Sequence, residues 1–72
     1  MMEVLIFTTS VTEQEEVRQL GQLLTAEPTI ADWNFDLEDC DRILRIVSDN
    51  VSPRYIENLL ENAGYTCMEL EY

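Results

Sequence analysis

Residues 31–47, ADWNFDLEDCDRILRIV, alternate in polarity through their first half: Trp33, Phe35 and Leu37 fall on one parity, Asp32, Asn34 and Asp36 on the other. A period of two marks a strand with one face buried. After Glu38-Asp39-Cys40-Asp41 a second apolar run follows, Ile43-Leu44-Arg45-Ile46-Val47, and the two runs read as a β-hairpin. Setting Phe35 against Leu44 and Trp33 against Ile46 gathers the large apolar groups on one face and puts Asn34 opposite Arg45 on the other. Ile43 and Val47 then fall on that second face. The turn holds no glycine, so a four-residue loop over 38–41 is expected rather than a tight two-residue one.

Toward the N-terminus, Pro28 closes a helical pattern whose apolar positions are Val17, Leu20 and Leu24, at spacings of three and four, with Leu23 beside them. Gly21 lies near that stripe, where it would allow close approach to a sheet. Ser10-x-x-Glu13 and Thr12-x-x-Glu15 each match a capping box, and Glu13, Glu15 and Glu16 suit the positive end of a helix. A helix start at residues 11–13 follows. Val4-Leu5-Ile6-Phe7 is an unbroken apolar run, expected to be a central strand partly covered on both faces.

Toward the C-terminus, Ser52-Pro53 reads as an N-cap with proline at the first helical position, followed by Ile56, Leu59, Leu60 and Ala63 on one face. Gly64 supplies the stop, and residues 65–71 alternate as a last strand. The order is therefore strand, helix, strand, strand, helix, strand. Two right-handed crossovers around a hairpin close into a four-stranded antiparallel sheet of order 4-1-3-2 with both helices on one face. This is an α+β, ferredoxin-like βαββαβ sandwich, expected to occupy residues 1–72 as one domain. In it the first loop (8–13), the hairpin (38–41) and the turn at Gly64-Tyr65 share one end.

Composition narrows the function. The net charge is −11, and lysine and histidine are absent; nucleic acid and anionic membrane surfaces would be repelled, whereas a basic protein partner would not. A four-residue apolar run behind Glu3 is neither signal peptide nor membrane span, which gives the expectation of a soluble, cytoplasmic protein. Cys40 and Cys67 are too few for a disulfide framework. Without histidine, lysine, a glycine-rich phosphate loop or a thiol beside a cation, no activated nucleophile or neutral-range base is visible. The expectation is a non-enzyme without a cofactor.

Ile56-Glu57-Asn58-Leu59-Leu60-Glu61-Asn62-Ala63-Gly64-Tyr65 resembles the second helix, and its Ala-Gly-Tyr ending, of the heavy-metal-associated (HMA) domain family of copper chaperones and metal-transporting ATPases. The resemblance implies the same sandwich and a soft-metal loop after the first strand, Met-Thr-Cys-x-x-Cys, whose two thiolates clamp Cu(I) or a divalent ion. Aligned on Val17, this chain has Thr8, Thr9, Ser10 and Glu13 there. Thr9 matches and both cysteines are missing, so Ser10 and Glu13 read as helix caps and the metal site as degenerate.

Non-standard ligands remain to be weighed: Ser10, Glu13, Cys40, Tyr65 and Cys67 all belong to the same end, but strand order sets the hairpin apart from strand four. Asp36, Glu38, Asp39 and Asp41 form the densest acidic cluster, without the glycine and bidentate glutamate of an EF-hand. The open sheet face carries Ile43, Val47 and either Val4 and Ile6 or Leu5 and Phe7, a surface for a basic partner or for a homodimer. A contact module with a lost metal site is the expectation; a metal-binding or metal-transport accessory protein with unusual ligands is the alternative.

Overall fold

The computed structural model describes residues 2–70. Its elements are β1 (Met2–Thr9), α1 (Gln14–Thr25), β2 (Ile30–Asp36), β3 (Ile43–Asp49), α2 (Pro53–Asn62) and β4 (Cys67–Glu69). The sheet runs β2-β3-β1-β4, which is the order 4-1-3-2 read from the other edge, and every pairing is antiparallel. The hairpin register is the one the sequence predicts: Phe35 opposes Leu44, Trp33 opposes Ile46 and Asn34 opposes Arg45.

One sheet face carries Leu5, Phe7, Leu44 and Ile46, and both helices bury against it, α1 through Leu20 and Leu24, α2 through Ile56 and Leu60. Phe7, Leu24, Leu44, Ile46, Ile56 and Leu60 have no exposed surface; each such side chain contributes about 1.5–3 kcal/mol relative to exposure. Gly21 is the contact point of α1 with β2. A Cβ there would lie 2.6 Å from Trp33 Cη2 and 2.7 Å from Cζ2, so the indole occupies the space a larger residue would take. Its Nε1 donates to Thr25 Oγ1 at 3.1 Å.

Several local expectations are corrected. The apolar run of β1 is covered unequally: Leu5 and Phe7 are buried, while on the other face Ile6 is half-buried and Val4 is 61% exposed, because both helices lie on one side. α1 starts at Gln14 with Glu13 as N-cap, and the cap uses Glu16, not Ser10 or Thr12. The Glu16 carboxylate accepts from Thr12 N at 3.0 Å and Glu13 N at 3.1 Å. Val17 is half-buried and Leu23 is exposed, and on α2 Ala63 is exposed.

The hairpin loop spans residues 37–42 rather than 38–41. Asp36 Oδ1 accepts from Glu38 N at 3.2 Å and Asp39 Oδ1 from Asp41 N at 2.8 Å. Arg42 closes the turn at φ 51°, so side-chain carboxylates and one left-handed residue do what glycine would do in a shorter turn. β2 begins one residue earlier than expected, and a bulge between Ile30 and Asp32 turns Ile30 from the parity of Asp32 into the core. β4 is three residues long instead of seven; residue 71 of that expectation lies outside the described residues.

Candidate functional site

Three loops meet at the end of the sheet where the sequence places them. Thr9 ties the first loop to the hairpin: its N–H donates to the Asp41 carbonyl at 3.2 Å and its hydroxyl to the Arg42 carbonyl at 2.7 Å. The same hydroxyl accepts from Val11 N at 3.2 Å. Ser10 ties it to β4. The Ser10 N–H donates to the Thr66 carbonyl at 3.2 Å, and Ser10 Oγ accepts from Thr66 N at 3.0 Å. Thr9 drew notice in the sequence only as a match to the family loop, and Thr66 not at all; Thr66 takes part through its backbone N–H and carbonyl, which no side-chain pattern marks.

Glu13 and Tyr65 frame the start of α1. Glu13 is spent on the helix, its carbonyl accepting from Val17 N at 3.1 Å. Glu16 is held below the usual carboxylate range, first by the Thr12 N–H and then by the Glu13 N–H. The Tyr65 hydroxyl is pushed up, first by desolvation and then by the Glu16 charge. A hydroxyl that keeps its proton beside a carboxylate already supplied with donors is a poor anionic ligand.

The two cysteines have unlike settings. Cys67 is 3% exposed and part of the core cluster, and burial, with Glu57 and Glu61 nearby, pushes its thiol up to about 12. It packs as a small apolar residue. Cys40 is exposed at the hairpin tip, where its sulfur and the carboxylates of Asp39 and Asp41 lie within 4.8 Å of one another. That trio is the one group of such ligand atoms found together among the described residues, and all three side chains are exposed. Of the candidates Ser10, Glu13, Cys40, Tyr65 and Cys67, the fold places Ser10 beside Thr66 and leaves Cys40 on a separate loop, with β3 and β1 between the hairpin edge and β4.

An open groove of about 540 Å³ lies elsewhere, between α1 and β2, lined by Arg18, Gly21, Gln22, Thr25, Ala26 and Trp33. Arg18 is engaged there with Glu15 at 3.4 Å. No described helix is long and apolar enough to cross a membrane.

No family model matches the sequence, and no curated protein matches it. Solved structures do. The apo HMA domain of a copper chaperone for superoxide dismutase superposes with TM-score 0.83 at 20% identity, over 99% of this chain and 69% of the other. The yeast copper-transporter domain, solved in apo and Cu(I)-loaded states, gives 0.82 at 18% identity, over 94% of each chain. A metallochaperone, CsoZ, gives 0.79 at 18% identity, over 94% of this chain and 99% of the other. At these identities the likeness is one of fold, and the fold is that of HMA domains.

Proposed function

We propose that this chain, with the fold of copper-chaperone HMA domains and no thiol in its first loop, is a non-enzymatic module whose soft-metal site has been lost and which works through protein contacts. One observation carries this reading: the polar groups of the first loop are already committed to the hairpin, to the turn before β4 and to the start of α1. Thr9, Ser10 and Glu13 stand where the resembled family keeps Thr-Cys-x-x-Cys, and they are bonded to Arg42, Thr66 and Glu16. Neutral hydroxyls committed to backbone groups and a capping carboxylate make a weak donor set for Cu(I) or Zn(II). Burial removes Cys67 from the same set.

A second reading, a metal-handling protein with unusual ligands, draws on the convergence of Cys40 with Asp39 and Asp41. Amide-resolved NMR of the reduced protein, titrated with Cu(I) and with Zn(II), separates the two. The contact module predicts no stoichiometric shift at residues 8–13 or 64–67. Saturable shifts at those residues would sink it; saturable shifts confined to 38–42 and abolished by Cys40→Ser would establish the second reading instead.

A further inference from the structure

Resting on the contact-module reading, we propose that the open sheet face is a docking surface for a partner segment in which lysine or arginine alternates with apolar residues. Among the described residues, three of the five exposed large hydrophobic side chains are Met2, Val4 and Met68, at 58, 61 and 70% exposure. All three lie on this face. Val4 stands opposite Val47 in register, Ile6 opposite Arg45 and Thr8 opposite Met68, so the apolar groups form one strip along β1 and its neighbours.

The strip has an acidic border along one side. Asp32 is beside Val47 and Asp36 beside Ile43, and the exposed hairpin tip adds Glu38, Asp39 and Asp41 at the Asp36 end. The cation within the face, Arg45, is already turned to Asn34 Oδ1 at 3.4 Å. Asp32 and Asp36 sit four residues apart on one strand, roughly 13 Å at about 3.3 Å per residue. Apolar residues packed on Val4, Ile6 and Val47 leave the alternate cations on the outer side of an extended segment, from which their long flexible stems bend over its edge to that row, one strand spacing of about 4.8 Å beyond β3.

Charge complementarity selects this occupant over a second copy. Two chains of net charge −11 repel each other before contact. Face to face about an axis across the strands, the two β2 rows of carboxylates would meet; about an axis along the strands, each row would cover the partner's β4 and lose water without gaining a cation. An anionic bilayer is repelled for the same reason. A basic–apolar segment supplies both missing components, cover for the strip and countercharge for its border.

The test uses three synthetic peptides of equal length against labelled full-length protein: alternating lysine and valine, alternating lysine and serine, and alternating glutamate and valine. Lysine–valine peptide should shift amides of residues 2–8, 43–47 and 67–70, with affinity that falls as salt rises. Lysine–serine peptide should bind at least about tenfold more weakly, as should lysine–valine peptide to a Val4→Ser, Val47→Ser variant, since losing two apolar contacts exceeds the 1.4 kcal/mol that tenfold represents. Val4 is exposed and Val47 half-buried, both outside the core cluster, and an unchanged thermal melt would verify the fold of that variant.

Equal binding of the lysine–serine peptide, with shifts spread over Glu15, Glu57 and Glu61 on the helices, would reduce the effect to general attraction to a polyanion and overturn the proposal. Preference for the glutamate peptide, or no shift at all, would overturn it as well. Concentration-dependent shifts of the face without peptide would assign it to self-association, which overturns the partner chemistry and leaves the contact-module reading standing. That reading fails separately, through saturable Cu(I) or Zn(II) shifts at residues 8–13 in the metal titration.

Discussion

Gly21 and Trp33 show how much a single missing carbon decides. Gly21 interrupts the helix former pattern of α1 at a cost of about 1 kcal/mol relative to alanine, yet it is where the indole rests. A Cβ at 2.6 Å from a rigid ring is overlap that a flexible side-chain end would relieve and a fused ring bonded to Thr25 would not. Gly21→Ala is therefore expected to lower stability by about 1–2 kcal/mol, overpacking of 1–3 kcal/mol outrunning the gain in helix propensity. Denaturant midpoints would measure it. A more stable variant with unshifted Trp33 fluorescence would show that the ring moves freely. The glycine was legible in the sequence as a site of close approach; that its partner would be Trp33 required the hairpin to be laid across α1.

At the scale of elements, the ends are where sequence and structure part. The C-terminus of α2 follows its code closely: Gly64 N donates to Glu61 O at 3.0 Å and Tyr65 N to Leu60 O at 3.0 Å, the two bonds of a Schellman closure, with Gly64 at φ +100°. No atom outside its chain neighbours lies within 4 Å of a Cβ built on Gly64, so the cost of a side chain there is backbone strain alone. Gly64→Ala should lose about 1 kcal/mol in chemical denaturation, and D-alanine introduced at 64 by synthesis should restore it. If both stereoisomers were equally destabilising, sterics rather than φ would be the cause.

The start of α1 was less legible. Ser10-x-x-Glu13, Thr12-x-x-Glu15 and the pair Glu13 and Glu16 all offer caps within a few residues, and local energies do not rank them. Ser10 is drawn off by Thr66, fifty-six residues away, which leaves Glu13 and Glu16 to cap. In the hairpin, Asp36 and Asp39 each bond a backbone N–H two residues on. Part of the acidic cluster that invites a cation thus has a turn to hold.

For the whole molecule, the buried thiol links the core to pH. Cys67 in the folded state is pushed from about 9 to about 12, so between those values the unfolded chain releases a proton that the folded chain keeps. Folded protein then binds more protons than unfolded, and stability must fall as pH rises; it is fully present below pH 9 and lost as pH climbs toward 12. Tyr55 and Tyr65 are also raised and act in the same direction, which makes Cys67→Ala the informative control. Its stability should start lower and decline less steeply across that window. A parallel decline in both proteins would mean that Cys67 does not carry the linkage. Below pH 5 the sign reverses for Glu16: its lowered folded value makes its contribution present above the unfolded carboxylate range and lost as pH falls.

The sequence alone determined the order of elements, the hairpin register and the strand order, because each depends on periodicity or on handedness, which neighbours in the chain set between them. It also carried the absence of thiols from residues 8–13. Tertiary structure decided which parity of β1 faces out, since an apolar run of four has no polarity to orient it; Val4 is exposed and Ile6 only half-buried because Leu5 and Phe7 are needed under the helices. It decided that Cys67 is core while Cys40 is surface, a distinction that identical side chains do not encode. And it decided that Thr9 binds Asp41 and Arg42 while Ser10 binds Thr66, because hydrogen bonds between segments far apart in sequence exist only once the sheet has set β1 between β3 and β4.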